Sequence, residues 1–274
     1  MGWLSRLLGR AAPRDGMGDG MGEGMEVAMA VFQAGDPARA LALWEPLARA
    51  GDARAAANIG ACFAEGMGVP VNAPLARQWL SLAAGAGHAP GQRNLATLYL
   101  RGGEGVEADP ARAAELYRAA AAQGDAQAQD MLSWMLLEGE LIPPDPAEAW
   151  RWARAAAEGG IASAMTRMGM LYHHALGVER DVALAARWWA LAAARGDADG
   201  QAMLGAALHL GAGVAPDPVQ ALAWLLRAER SGSALATPFL GPVRAGLDAA
   251  ARARAAALAG TPLPAPPAAE ALPP

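Results

Sequence analysis

Six glycines fall at almost constant spacing along this chain: Gly51, Gly87, Gly124, Gly160, Gly196 and Gly232. The steps are 36, 37, 36, 36 and 36 residues, a period that belongs to a repeat array rather than to a domain with one central core. Register holds inside each step. Eight residues after each marker comes an apolar side chain, at Ile59, Leu95, Leu132, Met168, Leu204 and Leu240. The next position is always small: Gly60, Ala96, Ser133, Gly169, Gly205 and Gly241. Fifteen residues before the following marker stands Asn72, Asp109, Asp145, Asp181 or Asp217. Pro110, Pro146 and Pro218 follow three of them, and Asp-Pro is the pattern of a helix N-cap and first turn.

Alanines lie four residues beyond that cap, at Ala76, Ala113, Ala149, Ala185 and Ala221. Seven beyond it sit Trp79, Leu116, Trp152, Trp188 and Trp224. Small residues at helical spacing allow close helix crossings, and large ones fill the remaining volume. Hydrophobic residues make up 54% of the chain but aromatics only 5%, so alanine, the strongest helix former, carries the apolar content. Each unit reads as helix A, a glycine-valine turn and helix B, closed by the marker glycine. One such pair cannot bury both its faces, so the units must stack into an all-α solenoid. The third unit, with Gly139, Leu141 and Ile142, departs from the turn pattern and is expected to turn differently.

The flanks divide by composition. Residues 1–24 form a short amphipathic start, with Trp3, Leu4, Leu7 and Leu8 on one face, then a Gly-rich linker from Asp15 to Gly24. Residues 25–50 read as an N-terminal capping unit, 51–231 as five repeats and 232–259 as a C-terminal capping unit. In that last unit Pro238 and Pro242 are expected to break helix A, and Arg244, Asp248 and Arg252 to share one polar face. Residues 260–274 form a Pro-rich tail read as disordered.

Several chemistries find no support. All 22 basic residues are arginine, the net charge is −5 and no basic cluster occurs, so no nucleic-acid partner is expected. Cys62 stands alone, which excludes an internal disulfide, and its predicted helix makes it a small buried hydrophobe. The glycine-rich turns lack a preceding strand or a Gly-Lys pair, so they are not phosphate loops. Arg6 and Arg10 interrupt the N-terminus, and no run reaches membrane-spanning length, so the chain reads as cytoplasmic. The N-terminal segment is the one candidate for membrane contact. His173 and His209 share a column thirteen residues after their markers, while His174 points about 100° around its helix. They read as groove lining. No metal, cofactor or catalytic residue is expected.

Stretches such as "AAANIGACFAEGMGVPVNAPLARQWLSLAAGAG" and "GQAMLGAALHLGAGVAPDPVQALAWLLRAE" resemble Sel1-like repeats, relatives of the tetratricopeptide repeats. The resemblance implies an α-solenoid of helix-turn-helix units in a right-handed superhelix, acting as a non-enzymatic scaffold. By analogy with tetratricopeptide grooves, helix A lines a concave face at positions six, ten, thirteen and fourteen after each marker. These positions nominate Arg93, Thr97 and Arg101 in the second unit, and Asp130, Trp134 and Glu138 in the third. Met170, His173, His174 and His209 follow in the next two. Trp134 replaces a small residue in its column, and an exposed aromatic near Arg93 and Arg101 has the composition of a hot spot. The expected function is binding of a protein or extended peptide in this groove, through an acidic group near an apolar anchor. The competing reading is an assembly scaffold that uses the solenoid's edges or ends; a hydrolase is the remote alternative.

Overall fold

A computed structural model of the chain describes residues 19–264, so the amphipathic start and all but the first residues of the Pro-rich tail lie outside it. The described chain is helical, with no strand; one isolated backbone bridge, Gly103 to Val106, closes a turn. It divides into two compact units, one ending at Ala128 and the other beginning at Gln129.

The first unit contains α1 (Asp19–Gln33), α2 (Pro37–Arg49), α3 (Ala53–Glu65), α4 (Ala73–Gly85), α5 (Ala89–Arg101) and α6 (Pro110–Ala121). Each helix packs on the next, and the A helices α3 and α5 also touch. Helix α1 starts inside the stretch read as a linker. Met25 and Ala28 are buried there in a cluster with Trp44 of α2, and that tertiary gain overrides the poor helix propensity of the glycines.

Helix α7 (Ala126–Glu138) begins at the boundary. The second unit continues with α8 (Pro146–Glu158), α9 (Ala162–His174), α10 (Val182–Ala194), α11 (Ala198–Leu210) and α12 (Pro218–Arg230). Each of α8 to α12 packs on its successor, and α9 touches α11. A 3-10 turn then leads to α13 (Thr237–Ala245) and α14 (Ala249–Gly260), which packs on α12.

The cap column behaves as its chemistry dictates. Side-chain oxygens of Asp36, Asn72, Asp109, Asp145, Asp181 and Asp217 accept backbone N–H groups in the first turn of their B helices. The third turn keeps the closing bond, Asp145 N–H to the Leu136 carbonyl, and buries Ile142 in the valine column. It lacks the second left-handed glycine of its neighbours, because Leu141 occupies that place.

The C-terminal unit differs from expectation in three ways. Pro238 falls in the first turn of α13, where no N–H is needed, and Pro242 sits inside this helix without ending it. Asp248 is the N-cap of α14, accepting from Ala251 N–H at 2.6 Å, so it does not share a helix face with Arg244. The tail begins ordered: Arg227 Nη2 donates to the Leu258 carbonyl at 2.6 Å and to the Thr261 carbonyl at 3.0 Å. Arg230 donates to the Ala259 carbonyl. Two cations thus satisfy the open end of α14.

One helix terminus is strained. Helices α3 and α11 end on left-handed glycines, Gly66 and Gly211, but α9 ends on Ala175 at φ 56°. A Cβ in that region is penalised, so Ala175→Gly is expected to stabilise the chain by about 0.5–1 kcal/mol. Urea unfolding checks this; a lower midpoint in the variant would show that the alanine methyl contributes packing instead.

Candidate functional site

The sequence-nominated residues separate by depth. Arg93, six residues after its marker, does not line a groove. Its Nη1 donates to Asp125 Oδ2 at 2.7 Å, and both side chains are over 90% buried. Asp125 Oδ1 simultaneously accepts from Ala128 N–H at 2.9 Å as the cap of α7. The same arrangement recurs in the second unit, where Thr166 donates to Asp197 Oδ1 at 2.6 Å while Asp197 caps α11 through Gly200 N–H. Position six therefore ties one repeat to the helix cap of the next. Asp130, also at position six, is used within the second unit by Ser163 at 2.8 Å and by Arg167. The available signal was the residue after each marker glycine: Asp125 and Asp197 follow the units with a donor at position six, whereas His88 follows Ala57 and Ile161 follows Asp130.

Between α3 and α5 lies a cavity of about 70 Å³ lined by Ala61, Ala64, Glu65, Asn94, Thr97, Leu98, Arg101 and Gly102. Positions ten, thirteen and fourteen of α3 and positions ten and fourteen of α5 contribute to it; Leu100, at position thirteen of α5, does not. Thr97 Oγ1 is engaged with the Arg93 carbonyl at 3.1 Å and the Tyr117 hydroxyl at 2.9 Å. Arg101 is exposed, and its Nη1 lies 3.6 Å from Glu65 Oε1. Burial pushes the Glu65 carboxyl above the usual range, and the Arg101 charge opposes this. Asn94, seven residues after the marker, was not among the nominated positions. Its Oδ1 accepts a 3.4 Å hydrogen bond from Arg93 Nε.

In the second unit Trp134 is half-buried and Glu138 is exposed. Met170 on α9 is 39% exposed and Leu210 on α11 is 65% exposed. His173 packs edge-on to His174, with centroids 4.7 Å apart, and its Nδ1 is buried without a hydrogen-bond partner. Burial, then His174 and Arg180, hold its pKa below the ordinary value. His174 is exposed and His209 is half-buried. Among the described residues no group of three or more His, Cys, Asp or Glu side chains is arranged to hold a metal ion. Burial pushes the Cys62 thiol up to about 12, which suits a packing role and not a nucleophile.

The small column shows why the repeat is so regular. A Cβ on Gly60 would stand 2.6 Å from Leu80, and one on Gly205 would stand 2.7 Å from Leu225. At Gly169 it would fall inside the Trp189 indole, whose Nε1 donates to the Thr166 carbonyl at 3.2 Å. Gly241 faces open space and belongs to the column in sequence only. A family model described as Sel1 repeat matches residues 20–52, 53–88, 89–125, 126–161, 162–197 and 198–233. The chain belongs to the Sel1-repeat family. The first matched repeat covers α1 and α2, the segment read from sequence as a capping unit.

Solved Sel1-repeat structures share the fold. A protective antigen of uropathogenic Escherichia coli with an SLR fold superposes at TM-score 0.82 and 27% identity, covering 87% of this chain and 52% of its own. This chain therefore spans about half the length of that antigen. A Sel1 repeat protein from Oxalobacter formigenes superposes at TM-score 0.76 and 26% identity, covering 87% of this chain and 97% of its own. No curated protein matches the chain. Sel1-repeat proteins are in general non-catalytic protein-interaction scaffolds, and this chain shares their α-solenoid fold. No described helix of this Sel1-repeat chain is long and apolar enough to cross a membrane.

Proposed function

We propose that the chain is a non-enzymatic adaptor that binds an extended protein segment along its A helices. The observation that carries this reading is the cavity between α3 and α5, five of whose eight lining residues (Ala61, Ala64, Glu65, Thr97 and Arg101) stand at positions that the repeat resemblance assigns to a ligand. Met170 and Leu210 support it from the second unit, since they leave apolar area exposed on the corresponding helices. Trp134 is the proposed aromatic anchor there, because aromatic side chains bury large areas at low entropy cost. Arg93 supplies no ligand contact in this reading; its charge is already satisfied by Asp125.

The test begins by selecting random 12-residue peptides on the full chain and measuring their affinity by fluorescence anisotropy. Trp134→Ala is expected to weaken a second-unit binder by about 2 kcal/mol or more with the melting temperature unchanged. Arg101→Ala is expected to act more strongly at low salt on a first-unit binder, since its charge attracts over the longer screening length. Equal affinity in the wild type and the groove variants, with the fold intact, moves the interface to the edges. Val71, 66% exposed in a turn, and Leu82, 60% exposed on α4, favour that second reading, in which the array assembles through its outer rim.

A further inference from the structure

Position-eight side chains pack toward the repeat that precedes them. Leu95 shares a buried cluster with Ala76 and Leu80 of α4, and Leu240 shares one with Leu225 and Ala228 of α12. Ile59, Leu95, Leu132, Met168, Leu204 and Leu240 are all 7% exposed or less. The first repeat carries the same pair of residues. Ala28 is its small crossing residue, fully buried in one cluster with Trp44, which follows its cap Asp36 by eight residues as Leu80 follows Asn72. Val27, the residue before Ala28, is thus the first repeat's member of the apolar column, yet it is 55% exposed. No described helix precedes α1 to cover it. The family model counts α1 and α2 as a repeat, so this end of the array carries a stacking face where a terminal cap would be polar.

The charges around Val27 select what covers it. Among the described side chains of α1 the charged ones are Glu23, four residues before Val27 on the same face, and Glu26, and both are exposed. The last helix has the opposite sign. Arg252 and Arg254 are exposed on either side of Ala253, and Arg244 is exposed on α13. Asp248, the one acid from α13 to α14, is engaged as the cap of α14. Ala251, Ala255 and Ala259 bury the inner side of α14, which leaves Ala249, Ala253 and Ala257 outward. We propose that copies of this chain stack head to tail: α1 of one copy lies on the outer face of α14 of the next, with Val27 over Ala253 and Glu23 and Glu26 facing Arg252 and Arg254. The contact continues the interior rule, in which an A helix buries its position-eight residue on the last helix before it. Alanines admit the close approach, and the charges fix its direction. The two ends differ, so each contact leaves one head and one tail free and growth continues past two copies. The inference is independent of the groove, which α1 and α14 do not line.

Sedimentation velocity of the full chain tests this. One small end face makes a weak, transient contact, so the protein is followed to about 1 mM at low salt. The expected result is a weight-average mass that climbs past the dimer with concentration and falls as salt screens the pairs. Every substituted position is exposed, and circular dichroism checks that each variant keeps its melting temperature. Val27→Arg, the double variant Glu23→Arg with Glu26→Arg, and the double variant Arg252→Glu with Arg254→Glu each set like charges opposite one another, and should weaken assembly by at least about tenfold. Mixing the two double variants makes both of their contacts complementary again, and assembly should return. Leu82→Arg on the rim and Trp134→Ala in the groove should leave it unchanged. A wild type that stays monomeric to about 1 mM, or stops at a dimer, overturns the inference. So does assembly that survives Glu23→Arg with Glu26→Arg, or that does not return on mixing. Assembly lost in Trp3→Glu, or seen only in that variant, gives the Val27 face to the amphipathic start and also overturns it. None of these outcomes touches the groove reading, which the peptide measurements decide.

Discussion

Gly169→Leu is expected to lower the stability of the chain by about 3 kcal/mol or more, the upper end of the cost of overpacking a core. The reason is spatial. A Cβ at this position would overlap the Trp189 ring, and Trp189 is fixed by its hydrogen bond to the Thr166 carbonyl and is almost fully buried. The indole has no vacant side to move into, because Met165, Met168, Trp188 and Leu191 belong to the same buried cluster. Even Gly169→Ala is expected to cost about 1–3 kcal/mol. A double-mutant cycle with Trp189→Phe, which shortens the ring, should recover a measurable part of the alanine loss. Urea unfolding of the four proteins decides it. Additive losses would show that the indole is not what the methyl meets.

The second large effect concerns the buried ion pair of the first unit. Arg93→Met leaves the Asp125 carboxylate without its cation in a site over 90% buried, and is expected to cost about 3–5 kcal/mol. The double variant Arg93→Met with Asp125→Asn should regain most of that loss. Asparagine still caps α7 through Ala128 N–H, and no uncompensated charge remains. Chemical denaturation of the single and double variants reads both numbers. If the single variant loses less than about 1 kcal/mol, the pair is solvated in solution and behaves as a surface ion pair.

The features legible in the sequence are those whose cause is local. Asp145 and Asp217 announce helix starts because the cap bond spans three residues, and Gly60 or Gly205 announces a crossing because only a missing Cβ allows the approach. The bond between Arg93 and Asp125 spans 32 residues and depends on which way position six points, so a groove analogy assigned Arg93 to the wrong neighbour. Asn94 was passed over for the same reason: a one-residue shift on a helix turns a side chain by about 100°, from the next repeat toward the cavity. The early start of α1 was hidden by glycine content, since burial of Met25 and Ala28 is a tertiary gain that propensity does not register.

The tie between position six and the next cap limits how this array can be edited. Repeat proteins are often treated as strings of interchangeable units with nearest-neighbour couplings. Here the coupling has a donor in one unit and an acceptor in the next, so its parts do not travel together. Excising the unit from Gly87 to Gln123 would bring Ala57 opposite Asp125 and leave the acceptor empty. Duplicating that unit would set the first copy's Arg93 against the second copy's His88, which sits at the N-terminus of its helix without a side-chain capping bond. A length change that keeps the coupling must carry the whole stretch from Arg93 to Asp125 or exchange the residue at each new junction.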